Sequence, residues 1–277
     1  MTAPMLLFYS GRTQYWNFYD IINKKVLDFQ VNVPKKGLVG SSKGWLVFVK
    51  RNVVDKTFGV TLVNPFFRVR GYKKKKNSLI HLPPLNPPGW EKWYKNCERY
   101  VCKATISSDP ILNASDCIVT VIHLERNTLA FIRLGKDTTW TYVDESVDDS
   151  LEGCCMIEEV ANVGNKFYAV NYWSELLSFD VTTWSNSNMR LVGRGSCPDY
   201  DDTKRYIFEG EENKLLMVQR YLEFGETKRH DNRAYDFGVY NVEDQSFPET
   251  YTKRAKKLLK MSYPLPIWVM PTLSFPL

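Results

Sequence analysis

Few residues in this 277-residue chain are of a type and spacing that could do chemistry. Its three histidines are His81, His123 and His230, and its six cysteines are Cys97, Cys102, Cys117, Cys154, Cys155 and Cys197. No Cys-x-x-Cys pair occurs and no His/Cys set has zinc-ligand spacing. No nucleophile stands at a recognisable spacing from a histidine, and no glycine-rich phosphate loop is present. His123 lies in an apolar run and is expected to be a packed core residue, as is the thiol of Cys117. His81 falls in a proline-rich connection and His230 in a charged loop. Asp144-Glu-Ser-Val-Asp-Asp149 and Asp199-Tyr-Asp-Asp202 could offer oxygens to a divalent cation, but EF-hand spacing is absent and both read as solvated loops. The expectation is no catalytic, cofactor-binding or metal-ligating residue, and no cofactor.

Charge is the sharper signal. Residues 1–100 carry 18 Lys and Arg against 5 Asp and Glu, whereas residues 101–212 carry 9 against 19. Folded, such a chain presents a basic side and an acidic side, which steers association. Two basic runs stand out: Lys73, Lys74, Lys75 and Lys76, then Lys253, Arg254, Lys256 and Lys257. They are candidates for nuclear import or anion contact. Nucleic acid is not expected as a partner, because no stacking motif is interleaved with the charge. The segment Thr252–Lys260 could form a short amphipathic helix. The N-terminus lacks the pattern of a secretory signal, and no run of 18 apolar residues occurs. The expectation is an intracellular protein, nuclear or cytoplasmic, without membrane association.

The elements that must position these residues are short. Apolar runs of four to seven residues recur: Trp45–Val49, Val60–Val63, Ile118–His123, Leu129–Leu134, Lys166–Val170, Leu215–Val218 and Phe237–Tyr240. Gly, Asn, Asp and Lys separate them, the mark of antiparallel hairpins. Two motifs repeat. A turn ending in Lys precedes a strand at Lys43-Gly-Trp-Leu-Val-Phe-Val49, Asn165-Lys-Phe-Tyr-Ala-Val170 and Asn213-Lys-Leu-Leu-Met-Val218. A strand closes on Asp or Asn at Phe18-Tyr-Asp-Ile21, Leu62-Val-Asn-Pro65, Ser178-Phe-Asp-Val181 and Val239-Tyr-Asn-Val242. A closing Asp or Asn can bond its own backbone and end the strand. The repeat of about 50 residues lies in the kelch range. The predicted fold is all-β: a kelch-like β-propeller of four-stranded antiparallel blades. Four units are recognisable, with a partial one at the N-terminus. Tyr100–Ile106, Ile118–His123, Thr128–Arg133 and Trp140–Val143 are the strands of the most degenerate unit. The segment Asn77–Gly89 carries Pro83, Pro84, Pro87 and Pro88, which forbid a central strand. It reads as an extended connection, with a polyproline ligand as the alternative.

An ordered set of segments resembles a known family. They are Gly40-Ser-Ser-Lys-Gly-Trp-Leu46, Leu62-Val-Asn-Pro-Phe66, Ile80-His-Leu-Pro-Pro-Leu85, Leu129-Ala-Phe-Ile-Arg-Leu-Gly-Lys-Asp-Thr-Thr-Trp140, Lys166-Phe-Tyr-Ala-Val-Asn-Tyr172, Leu176-Leu-Ser-Phe-Asp180 and Lys214-Leu-Leu-Met-Val-Gln-Arg-Tyr221. Together they resemble the KIB-type β-propeller domain of plant F-box proteins. The resemblance implies a substrate-recognition propeller of the kind that ubiquitin-ligase adaptors carry. The F-box that usually precedes such a propeller is expected to be absent, so binding of a Skp-type adaptor is not expected. The pattern also fades after Phe247. The chain is therefore expected to comprise a KIB-type propeller over residues 1–250 and a basic, then Pro- and aromatic-containing, tail over 251–277. Such a propeller would be incomplete or atypically closed, with strand edges left unpaired. The expected function is non-catalytic binding of a protein partner that the sequence does not name. Two alternatives stand beside it: a hydrolase or lyase acting in the central channel, and a truncated product with no role of its own.

Overall fold

The computed structural model describes residues 5–10, 15–31, 37–52, 54, 57–65, 79–86, 101–123, 128–143, 156–164, 166–180, 189–195, 203–209, 214–221 and 267–269. These residues contain strands and no α-helix. The first sheet holds β1 (Met5–Ser10), β2 (Tyr15–Asp20) and β3 (Lys25–Val31). The second holds β4 (Leu38–Ser42), β5 (Trp45–Asn52), β6 (Thr57–Val63) and β7 (Leu79–His81). The third holds β8 (Val101–Ile106), β9 (Ile118–His123), β10 (Thr128–Arg133) and β11 (Thr141–Tyr142). The fourth holds β12 (Ile157–Val163), β13 (Lys166–Asn171), β14 (Glu175–Phe179) and β15 (Arg190–Arg194). A two-stranded sheet holds β16 (Thr203–Glu209) and β17 (Leu215–Tyr221). A last strand, β18 (Ile267–Val269), pairs antiparallel with β1, Met5 facing Val269 and Leu7 facing Ile267. The sequence-level partial unit at the N-terminus is thus four-stranded, in the order β18-β1-β2-β3. Its outer strand comes from the stretch 251–277 that the sequence suggested was a tail.

The turns form for local reasons. Ser42 faces Trp45 across a two-residue hairpin loop. Lys43 and Gly44 both take positive φ there, 48° and 79°. Two successive left-handed residues match the twist of the flanking strands, and glycine takes the second without a Cβ clash. At the end of β2, Asp20 accepts hydrogen bonds from the backbone N–H of Asn23 at 3.0 Å and from its side-chain amide at 2.7 Å. This is the expected strand-closing role of that motif. Burial alone would raise Asp20, but these bonds, one from Ile22 and the charge of Lys25 outweigh it, and its carboxyl sits below the usual range. After β10, Asp137 accepts from the Arg133 backbone N–H at 2.8 Å and from its guanidinium at 2.7 Å. The guanidinium bonds hold the Asp137 carboxyl low. Asp137 closes the turn inside one of the family-like segments.

Apolar cores lie between successive sheets. Leu7, Tyr9, Trp16 and Phe18 of the first sheet pack with Leu46, Phe48 and Val63 of the second. Ile118, Ile122, Leu129 and Phe131 of the third pack with Ile157, Val160, Phe167 and Phe179 of the fourth. Ala161, Val163 and Val170 pack with Ile207 of β16. Every residue of β9 and the first five of β5 are buried. A strand covered on both faces reads as a continuous apolar run, which is why those strands were visible in sequence. By compactness the chain divides into Met1–Phe48, Thr61–His81 and Lys228–Leu277 as one unit, and Val49–Val60 and Leu82–Thr227 as a second.

The proline-rich segment behaves as an edge and a strap. Leu79–His81 forms the outer strand β7, facing Thr61–Val63. Beyond it, the Leu82 and Leu85 N–H groups donate to the Val60 and Phe58 carbonyls at 2.9 and 2.8 Å. Trp140 Nε1 donates to the Pro83 carbonyl at 2.8 Å, and the Asn86 N–H to the Tyr142 hydroxyl at 3.0 Å. Leu82 and Leu85 are buried. Residues 82–86 are therefore stitched into the fold, which leaves the polyproline-ligand reading no support over that stretch.

Candidate functional site

The residues with chemical potential are held in structural positions. His123 is buried near the end of β9, with Nε2 3.0 Å from Thr128 Oγ1 and its ring edge-on to Tyr142 at 5.9 Å. Burial pushes its imidazole down to about 4, so it is neutral near pH 7. A base that cannot take its proton when folded makes stability pH-dependent. Above the ordinary histidine value of about 6.5 the contribution is fully present, and it is lost as pH falls toward 4. The expected loss from His123 is about 3 kcal/mol over that window. Urea unfolding at pH 7 and pH 4.5 tests this. The His123→Gln variant is expected to show a shallower acid decline, and an identical decline would discard the assignment.

His81 on β7 is exposed, with Nδ1 3.1 Å from Thr61 Oγ1. Cys117 is a buried free thiol, and burial pushes it up to about 11. Cys102 stands at an exposed position, yet its Sγ turns in toward the Ile122 carbonyl at 3.5 Å. Burial of that sulfur pushes it up to about 11 as well. Thiols so raised stay protonated and are poor nucleophiles. Among the described residues, no group of three His, Cys, Asp or Glu is placed to hold a metal ion. Also among them, no helix is long and apolar enough to cross a membrane, which says nothing of β-barrels. His230, the acidic runs 144–149 and 199–202, and the candidate basic residues Lys73, Lys74, Lys75, Lys76, Lys253, Arg254, Lys256 and Lys257 lie outside the described residues, as does Val239–Val242.

The densest polar arrangement was not anticipated from sequence. Glu158 and Glu159 are successive on β12, at an irregularity in its pairing with β13, and they pair with different strands. Glu159 is buried and pairs with Lys103 of β8. Glu158 accepts from Arg205 Nη1 of β16 at 3.0 Å. Arg205 is only 3% exposed, and its Nε also donates to Ser174 Oγ at 2.7 Å. β12 packs against β8 and against β16, so these pairs form a polar seam through the second unit.

One end of that seam is a rigid turn. Asn171 closes β13 and accepts from the Glu175 N–H at 2.9 Å, while its amide donates to Glu175 Oε2 at 2.8 Å. The Ser174 N–H donates to the Asn171 carbonyl at 3.1 Å, and the Gly195 N–H to the Ser174 carbonyl at 2.8 Å. Ser174 has φ 63°, a left-handed conformation that these bonds over-determine. A Cβ on Gly195, the residue after β15, would meet Ser174 Cβ at 3.0 Å, so the turn would have to give by a few tenths of an ångström to take one. Arg194 Nε donates to Glu175 Oε1 at 3.0 Å. Trp173 projects from this turn, 41% exposed, with Tyr172 edge-on at 5.9 Å. Met156, 40% exposed, accepts from the Tyr172 N–H at 3.0 Å. The arrangement holds an aromatic and a thioether outward on a fixed backbone, which suits contact with a partner. Sequence could have raised Trp173, because it follows a family-like segment by one residue. Arg205 carries no signal in a run that reads simply as charged.

The sequence model described as KIB1-4 beta-propeller matches residues 18–258. The chain belongs to the KIB1-4 β-propeller family. Membership confirms the all-β propeller expected from the hairpin repeats, and the four-stranded antiparallel sheets are its blades. The family match ends ahead of β18. No curated protein matches the chain. Among solved structures, the tricorn protease is similar with a TM-score of 0.30 and 10% identity, over 84% of this chain and 20% of that one. Apo AztD from Citrobacter koseri is similar with a TM-score of 0.32 and 11% identity, over 80% of this chain and 66% of that one. The KIB1-4 chain thus spans about a fifth of the first and about two thirds of the second.

Proposed function

We propose that this KIB1-4 propeller is a non-catalytic protein-interaction domain, of the kind that receives substrates for F-box ubiquitin-ligase adaptors. The observation that carries the reading is the rigid turn at Tyr172–Ser174, which presents Trp173 to solvent on a backbone held by a network of hydrogen bonds through Asn171, Ser174, Glu175 and Gly195. Ordered, exposed aromatics are the anchors of protein interfaces. The placement of the potential acids, bases and nucleophiles supports it further. His123 is buried and neutral, the thiols of Cys102 and Cys117 are protonated, and the β12 carboxylates are paired with Lys103 and Arg205.

Affinity capture from plant extract on the immobilised chain tests the reading, together with turnover assays on chromogenic ester, phosphate and glycoside substrates. The expected result is at least one protein retained in stoichiometric amount and no turnover above buffer. Turnover of a small substrate with no retained protein would replace the interaction reading by the hydrolase one.

A further inference from the structure

We propose that the β1 edge at Met5–Leu7 is a strand-acceptor site that takes the β18 segment of a second copy of this chain in exchange for its own. The inference goes beyond the interaction reading and does not depend on it. Three observations carry it, all within the first compact unit.

The first is the pairing itself. β18 runs antiparallel to β1, with Met5 facing Val269, Leu6 facing Trp268 and Leu7 facing Ile267. On its other side β1 pairs with β2 along its whole length, from Met5 facing Asp20 to Ser10 facing Tyr15. β18 thus matches only the first half of β1. Proline has no N–H to give a ladder, and Pro266 and Pro271 bracket the strand, so its pairing cannot lengthen by more than a residue or so. A strand held over so short a stretch opens at low cost.

The second is the place that β18 fills. Leu6, Leu7 and Phe8 of β1 are buried, and β18 also lies against β4. Withdrawal of β18 takes the partner from the Met5–Leu7 backbone, and backbone groups left without partners are a template for another strand. The sequence that fits there is shown by the occupant. Every copy of the chain carries the same segment, so each backbone pair made within one chain can be remade between two. The family match, residues 18–258, includes neither β1 nor β18, so this pairing is additional to the matched segment.

The third is the lack of charge. Strands that must not pair between molecules are ordinarily guarded by lysines or other charged side chains. β1, Met5-Leu-Leu-Phe-Tyr-Ser10, has none, and residues 261–277 contain no Asp, Glu, Lys or Arg. Ile267, Trp268 and Val269 are all residues of high strand propensity. Nothing in either strand repels its counterpart in a second copy, and both favour the extended conformation that pairing needs.

Native mass spectrometry of the full chain, unlabelled and isotopically heavy in equal parts, tests the proposal. After incubation at high concentration, dimers of mixed mass are expected. In an antiparallel pair the bonded residues alternate, so of Trp268→Pro and Val269→Pro at least one removes a donor to β1. That variant is expected to form at least about tenfold less dimer than the parent. A synthetic peptide of residues 263–272, in excess, is expected to suppress the parent dimer by taking the β1 edge itself. The same peptide with proline at both positions is expected to leave the dimer intact. Absence of mixed dimers at every concentration overturns the proposal. So does a dimer that the unmodified peptide does not suppress, or one that both proline variants form as readily as the parent. The peptide arm uses the parent chain alone, so it decides the matter even where a proline variant fails to fold.

Discussion

The Arg205→Ala variant is expected to unfold about 3–5 kcal/mol more easily than the parent chain, the cost of breaking a buried ion pair from one side. Arg205 is 3% exposed and serves two acceptors, Glu158 of β12 and Ser174 in the turn between β13 and β14. Truncation leaves the Glu158 carboxylate without its counter-charge and the Ser174 hydroxyl without its donor. Denaturant midpoints of Arg205→Ala, Glu158→Gln and the double variant measure the coupling directly. The account expects the double variant to be much less destabilised than the two single losses added together. Additive losses would mean that the pair is a surface contact of little consequence.

The Trp45→Ala variant is expected to lose a similar amount, about 3–5 kcal/mol, through a cavity that the sheet cannot close. Trp45 is 0% exposed and opens β5 immediately after the Lys43–Gly44 turn. The turn fixes its register: a slip of one residue would carry Leu46 and Phe48 out of the core they share with Leu7 and Trp16. Gly44→Ala should destabilise by about 1 kcal/mol for a different reason, strain at φ 79° rather than lost volume. Thermal unfolding separates the two, because Trp45→Phe should recover part of the loss while no β-branched residue should be tolerated at 44. Full stability in Trp45→Ala would mean that β5 is not a core strand.

The architecture was legible where burial is two-sided or a turn has special chemistry. Ile118–His123 matches β9 in both bounds, and Trp45–Val49 and Lys166–Val170 each start a strand where the sequence placed it. The most degenerate repeat was still readable as β8 to β11 because its apolar runs survived when its turn motifs had gone. β12 was missed because Glu158 and Glu159 interrupt its run, and their ion partners lie far away in sequence. β15 and β16 were missed for the same reason, since Arg190, Arg194, Lys204 and Arg205 make them look like loops. β18 was missed because a three-residue strand has no periodicity, and only its pairing with β1 defines it.

The candidate site was less legible than the fold. Sequence pointed to basic runs that lie outside the described residues. The described structure points instead to Trp173 and to the polar seam beneath it. Only its place directly after a family-like segment sets Trp173 apart from the other seven tryptophans in the chain. Its meaning comes from Ser174, Gly195 and Arg205, which hydrogen bonds bring together from the β13–β14 turn, the residue after β15 and strand β16.

The measurement that tests the central claim most directly is sedimentation velocity of the purified chain mixed with the protein it captures from extract. An interaction propeller predicts a single faster-sedimenting species of defined stoichiometry, formed without consumption of any small substrate. A chain that sediments alone at every ratio, while turning over an ester, phosphate or glycoside, would contradict it.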